Sequence, residues 1–268
     1  MASILDEIVE AKKKEITQHK ARLPQAELET CIAQLPIPLN FSGALLGNQT
    51  RVIAEVKRAS PSRGLLRADF DPATIAKSYA DNGAAVVSVL TDTHFQGTLD
   101  HLSAVKKALV PQGVPVLRKD FIVDAYQVLE TRAFGADAIL LIAAILEPKE
   151  LRSLMALANS MWLQCLVEVH NQIELGIAIE AGAEVIGINN RDLRTFVTNI
   201  AVTEELARHV PKGKIIVSES GISENADLVR LSRIGVHAVL VGEALVTEPD
   251  VGLALRKLLG GFPTLPPT

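Results

Sequence analysis

Eight short apolar runs, each followed by an amphipathic stretch of roughly 10 to 14 residues, organise the chain from residue 51 onward. The runs are RVIAEVKR (51 to 58), AAVVSVLTD (84 to 92), VPVLRKDF (114 to 121), AILLIAA (138 to 144), WLQCLVEV (162 to 169), VIGINN (185 to 190), KIIVSES (214 to 220) and AVLVGEAL (238 to 245). Helical patterns open near Asp71-Pro72, Thr98, Asp124, Glu147-Pro148, Asn171, Val202, Ser223 and Glu248-Pro249, several on an N-cap residue or a first-turn proline. Gly83, Gly135, Gly182 and Gly235 stand where the first, third, fifth and seventh of these helices want a left-handed cap. A βα unit repeated in this way predicts the α/β class and a closed parallel (β/α)8 TIM barrel. An open doubly wound sheet, which usually has fewer strands and a switch point, ranks second.

The first 50 residues break the rhythm. A charged amphipathic helix at about 3 to 20, a proline-bounded second helix near 25 to 35 and a short third segment predict an N-terminal helical extension over 1–50. Its apolar stripe of Ile4, Leu5, Ile8 and Val9 is expected to pack against the barrel, which spans 51–260. The breaker-rich end predicts a flexible tail over 261–268. With 268 residues, one domain suffices for this architecture.

Composition then excludes several partners. A net charge of -4 supplies no basic field for nucleic acid or an anionic membrane. The longest apolar run, AILLIAAIL at 138 to 146, is less than half of the ~20 residues a membrane-spanning helix needs. The start, MASILDEIVEAKKK, has no secretory signal pattern, so a cytoplasmic chain is expected. Cys31 and Cys165 do not make a disulfide framework; both are expected to be reduced, with Cys165 in the core.

Side chains alternate along a strand, so residues two apart share a face. In the first strand Glu55 and Lys57 fall in step with Ile53, facing the barrel interior at the C-terminal rim where barrel active sites lie. The same parity aligns Lys119 with Leu117 in the third strand, Glu168 with Leu166 in the fifth and Glu219 with Val217 in the seventh. Interior layers draw on alternate strands, so these five charged groups are expected to converge, with Asn189 of the sixth strand beside them. A single strand-end Lys or Glu is as readily a solvated rim residue. Five together are costly to bury, which points to catalysis.

After the seventh and eighth strands, SESGIS (218 to 223) and Gly242 lead into helical turns, where backbone N–H groups can meet an anion. The phosphate of a small-molecule substrate is expected there. No dinucleotide fingerprint, Walker A sequence or metal-ligand spacing of Cys and His is present, so no cofactor or metal is expected. His19, His94, His101, His170, His209 and His237 are scattered and read as surface or core histidines.

The segments EVKRASPSRG (55 to 64), RKDFI (118 to 122), LVEVH (166 to 170), GINNRDL (187 to 193), SESGI (218 to 222) and LVGEAL (240 to 245) together resemble the indole-3-glycerol-phosphate synthase family of tryptophan biosynthesis. The resemblance covers nearly the whole chain. Only a short tail follows the eighth helix, so a monofunctional chain without the isomerase fused in some members is expected. The resemblance implies a cofactor-free carboxy-lyase converting 1-(2-carboxyphenylamino)-1-deoxyribulose 5-phosphate to indole-3-glycerol phosphate, with loss of carbon dioxide and water. It makes Lys119 the general acid for ring closure and Glu168 the proton acceptor or relay in the later dehydration. Lys57 would hold the leaving carboxylate, and the division of proton transfer between Lys57 and Glu168 stays open. Glu55 and Asn189 would contact the sugar-derived hydroxyls, and Glu219 would orient the lysines.

The resemblance also places the phosphate on the backbone of Gly221, Gly242 and Glu243, with Ser60, Arg191 and Ser220 as weaker contacts. Phe95 and Phe121, in the loops after the second and third strands, and Leu140 and Leu240 at the mouth would flank the anthranilate ring. Glu243 stands where some members carry a small residue; its side chain is expected to turn away while its N–H donates. The extension and the 58 to 70 loop are candidate lids. Association with other enzymes of the pathway is not readable from the sequence. Two other readings remain: a Schiff-base aldolase acting through a strand-end lysine, and a silent barrel that binds a phosphorylated ligand or a partner protein. The second would be expected to lack the rim charges present here.

Overall fold

The computed structural model describes residues 4–61, 63–192, 195 and 197–261. Three helices come first: α1 (Ile4–Arg22), α2 (Gln25–Ala33) and α3 (Phe41–Ala44). Strand β1 (Arg51–Val56) is followed by a small antiparallel hairpin, β2 (Ala59–Ser60) and β3 (Gly64–Leu65), and then by β4 (Val86–Leu90), β5 (Val116–Lys119) and β6 (Ala138–Ile142). The remaining strands are β7 (Gln164–Val169), β8 (Val185–Asn189), β9 (Ile215–Glu219) and β10 (Ala238–Val241). Between them run α4 (Pro72–Asp81), α5 (Leu99–Leu109), α6 (Ala125–Ala133), α7 (Pro148–Ser160), α8 (Gln172–Glu180), α9 (Ala201–Leu206) and α10 (Asn225–Ser232), with α11 (Glu243–Val246) and α12 (Val251–Leu258) after β10.

The main sheet closes on itself in the order β1-β10-β9-β8-β7-β6-β5-β4, and neighbouring strands pair in parallel. The chain is a (β/α)8 TIM barrel. Local chemistry starts its helices where the sequence indicates. Asp71 accepts from the N–H groups of Ala73 and Thr74 ahead of first-turn Pro72, and Asp124 with Gln127 forms a reciprocal capping box.

Strand alternation sorts the core into two layers. Ile53, Leu117, Leu140, Leu166, Val217 and Leu240 fill the barrel interior, while Val52, Val116, Ile139, Val167 and Val239 pack outward beneath the helices. At ~1.5–3 kcal/mol per fully buried aliphatic side chain, these layers dominate stability. Phe41 and Leu45 join the inner layer from α3 and the residue after it. The Ser42 N–H donates to Gln164 Oε1 at the start of β7 (2.9 Å), so α3 closes the N-terminal end of the barrel. The opposite end is left for the site.

Helix α1 attaches through charge as well as apolar contact. Ile8 and Ile16 are buried, with Leu5 and Val9 partly so. Between them Lys12, only 2% exposed, reaches Asp92 Oδ2 at 2.7 Å and Asp120 Oδ1 at 2.9 Å. Asp120 in turn pairs with the buried Arg118 guanidinium at 2.9 Å, and Arg118 with Glu130 at 3.0 Å. The charged side of this amphipathic helix thus includes an anchor beside the strand that carries Lys119.

Several differences from the sequence reading have local causes. The hairpin β2–β3 lies in the 58 to 70 loop, too short to leave a period-two pattern. The eighth barrel strand ends at Val241, and Glu243 already opens α11. Cys165 is buried, which pushes its thiol up to about 12, and Cys31 is exposed; both are free thiols. No helix of the described residues is long and apolar enough to cross a membrane. The tail from 262 onward, Leu193 and Ser62 lie outside the described residues.

Candidate active site

The C-terminal ends of the strands surround a cavity of about 440 Å³. Every site residue singled out in the sequence lines it except Leu140. Leu140 points inward but sits one layer too deep, 1% exposed in the barrel interior. Ile142, two residues further along β6 and paired with Glu168 in the strand register, lines the cavity instead.

Alternate strands supply the charged floor. Lys119 at the end of β5 places Nζ 3.3 Å from Glu168 Oε2 of β7 and 3.6 Å from Glu219 Oε2 of β9. Lys57, just beyond β1, pairs with Glu55 Oε1 at 2.9 Å. Asn189 donates from Nδ2 to Glu168 Oε1 at 3.1 Å, and its own Oδ1 accepts the Arg191 N–H at 3.0 Å.

These neighbours set the protonation pattern. Burial works against a charged Lys119, but the carboxylates of Glu168, Glu219 and Glu55 outweigh it and hold the amine above the usual lysine range. Burial likewise opposes a charged Glu168, yet Lys119, His170 and Asn189 keep it below the ordinary carboxylate range. Glu219 goes the other way: burial and the charge of Glu168 raise it, and neither carboxyl oxygen finds a hydrogen-bond partner among the described residues. The floor therefore offers a proton-bearing amine, an ionised carboxylate and a carboxyl poised to hold its proton.

Backbone shape dominates elsewhere in the cavity. Ser220 and Gly221 both take left-handed conformations, with φ of 67° and 76°, turning the chain after β9. At Gly242 the constraint is space, because a Cβ there would collide with the Glu55 carboxylate. The Glu243 side chain pairs with the exposed Arg63 guanidinium at 2.8 Å. Phe95, Phe121 and Leu240 add apolar lining.

The sequence reading missed other members of this wall. Leu5 and Ile8 of α1 line the cavity, so the N-terminal helix is part of the site; their apolar stripe was the available signal. Arg63 and His94 also line it. His170, taken as one of six scattered histidines, stands 3.3 Å from Glu168, where only the fold could place it. Among the described residues no group of three or more His, Cys, Asp or Glu side chains is arranged to hold a metal ion.

A profile of the family described as Indole-3-glycerol phosphate synthase matches residues 5–258. The chain belongs to the indole-3-glycerol phosphate synthase family. An indole-3-glycerol phosphate synthase of Dehalococcoides mccartyi is 50% identical over 258 residues, covering 96% of this chain and 100% of the relative. One from Roseiflexus sp. is 47% identical over 271 residues, at 97% and 100% coverage. Among solved structures, 3-hexulose-6-phosphate synthase from Salmonella typhimurium superposes with a TM-score of 0.62 at 15% identity, over 78% of this chain and 96% of that one. At that identity it speaks to the barrel fold alone, whereas membership of the indole-3-glycerol phosphate synthase family rests on the sequence matches.

Proposed function

We propose that this chain is an indole-3-glycerol-phosphate synthase, a carboxy-lyase that closes the indole ring of 1-(2-carboxyphenylamino)-1-deoxyribulose 5-phosphate. The observation that carries this reading is Lys119, held charged by Glu168 and flanked by Glu219 on the floor of a cavity with both apolar and polar lining.

The reaction needs an acid first. As the carboxylate-bearing ring carbon attacks the ketone carbon, a C–C bond forms and the ketone oxygen takes a proton from Lys119. The bond to the carboxylate then breaks, carbon dioxide leaves, and the electron pair returns to the ring. The new hydroxyl departs as water, with Lys57 and Glu168 sharing the proton transfers and Glu168 receiving the proton whose loss completes the indole. Glu55 and Asn189 hold the sugar-derived hydroxyls, and Glu219, above the usual carboxylate range, steadies Lys119 without competing as a second base.

Substrate orientation follows from the remaining lining. The aryl ring lies against Phe95, Phe121 and Leu240, with Leu5 and Ile8 of the N-terminal cap covering it. The phosphate takes backbone N–H groups at Gly221, Gly242 and Glu243, with Ser60, Arg191 and Ser220 nearby. The Glu243 carboxylate is already paired with Arg63, which draws its charge off the anion. We place the enzyme in the cytoplasm, acting on this small phosphorylated substrate.

Borohydride added during turnover separates this reading from a Schiff-base aldolase. Indole formation with no reduced lysine adduct is expected by mass spectrometry; a sugar-phosphate adduct on Lys119 or Lys57 would replace the synthase with the aldolase.

A further inference from the structure

One titratable side chain sits behind the acid–base pair without lining the cavity. His170 follows β7 directly, and its side chain is 11% exposed. Its Nδ1 meets Glu174 Oε2 at 3.0 Å, and the same oxygen accepts the His170 backbone N–H at 2.8 Å. The other oxygen of Glu174 accepts from Asn171 Nδ2 at 2.6 Å, while the Glu174 N–H donates to Asn171 Oδ1 at 3.0 Å. Glu174 is thereby pinned in the first turn of α8, and the imidazole it holds has one direction left. That direction is Glu168: Nε2 lies 3.3 Å from Oε1, the oxygen that also accepts from Asn189.

We infer that His170 is a positioning residue for Glu168, clamped by Glu174 so that Oε1 is fixed between His170 and Asn189 while Oε2 stays aimed at Lys119 and the reacting substrate. The inference rests on the reaction proposed above. Nε2 is buried and meets Oε1 as an ion pair at 3.3 Å, outside good hydrogen-bond geometry to any of the described residues, so this contact is the one that tightens once Lys119 turns toward substrate. Among the described residues, the charged groups paired with the ring are two carboxylates, Glu168 and Glu174. Burial would lower its pKa, but those two carry it up to about 10, which keeps it a cation through the neutral range. A carboxylate that orients an imidazole toward a reacting group is a recurrent catalytic arrangement; here the imidazole in turn orients a carboxylate.

The test is steady-state kinetics of the full chain against pH for the native protein, His170→Ala, His170→Gln, Glu168→Gln and the His170→Ala/Glu168→Gln double variant. In His170→Ala, kcat should fall by about ten- to a hundredfold with KM little changed, the scale of a misplaced catalytic group. The acid limb of its kcat profile should move to higher pH, because loss of the cation makes Glu168 easier to protonate. His170→Gln, whose amide can still donate to Oε1, should recover part of kcat but leave the acid limb displaced. In the Glu168→Gln background the alanine change should add almost nothing. A folded His170→Ala enzyme with native kcat and an unmoved acid limb overturns the role, as do two losses that simply multiply. Should His170→Ala fail to fold, Glu174→Gln carries the test: it loosens the clamp and should move kcat and the acid limb the same way by less, and no change overturns the role. Absence of turnover in the native protein is a separate failure, that of the reaction itself.

Discussion

Lys119 on β5 and Glu168 on β7 meet inside the barrel across β6, with Nζ 3.3 Å from Oε2. They are not neighbours in the sheet; inward-facing residues of alternate strands share a layer, and this contact is made in the uppermost one. Each holds the other charged, so one ion pair supplies both a proton donor and a proton acceptor at the same pH.

Helix α1 should be tied to the barrel chiefly through Lys12. Replacing Lys12 with Met would leave Asp92 and Asp120 buried without the ammonium they share. Removing one partner of a buried pair costs about 3–5 kcal/mol. Urea denaturation should show that loss, and an unchanged midpoint would mean the network carries no stability.

Acid should weaken the same network. Burial opposes a charged Asp120, but Arg118 and Lys12 hold its carboxyl down to about 2, below the ~3.9 of an unfolded chain. A folded pKa below the unfolded one contributes stability that is present above about pH 4 and is lost as pH falls through about 2, here about 2–3 kcal/mol. Asp120→Asn should lack this part of the pH dependence when unfolding is followed between those pH values. An identical slope in native protein and variant would rule Asp120 out as its source.

Gly242→Ala should act on substrate binding and on Glu55 together. The added methyl would run into the Glu55 carboxylate and stand where the phosphate is proposed to meet the backbone. An increase in KM of about tenfold, equivalent to about 1.4 kcal/mol, is expected in the kinetic assay. A native KM would take the phosphate away from this residue.

Much of this site was legible because a barrel converts parity into direction. Glu55, Lys119, Glu168 and Glu219 fall in step with Ile53, Leu117, Leu166 and Val217, and alternation alone turns them inward. Parity does not give depth, which is why Leu140 reads like a mouth residue while Ile142 is the one at the cavity. Lys12 looks like any lysine of a charged helix, since its partners Asp92 and Asp120 lie far along the chain. His170 needed the fold for the same reason: its meaning lies in the distance to Glu168 and in how Glu174 is pinned.

The most direct test of the whole assignment is indole formation from 1-(2-carboxyphenylamino)-1-deoxyribulose 5-phosphate, followed by absorbance or fluorescence, for the native protein beside a Lys119→Met variant folded to the same degree. Native turnover that falls by at least about 10²- to 10⁴-fold in the variant is expected if Lys119 is the general acid. Native turnover that survives the substitution would take the acid role away from Lys119, and no turnover by the native protein would contradict the synthase reading.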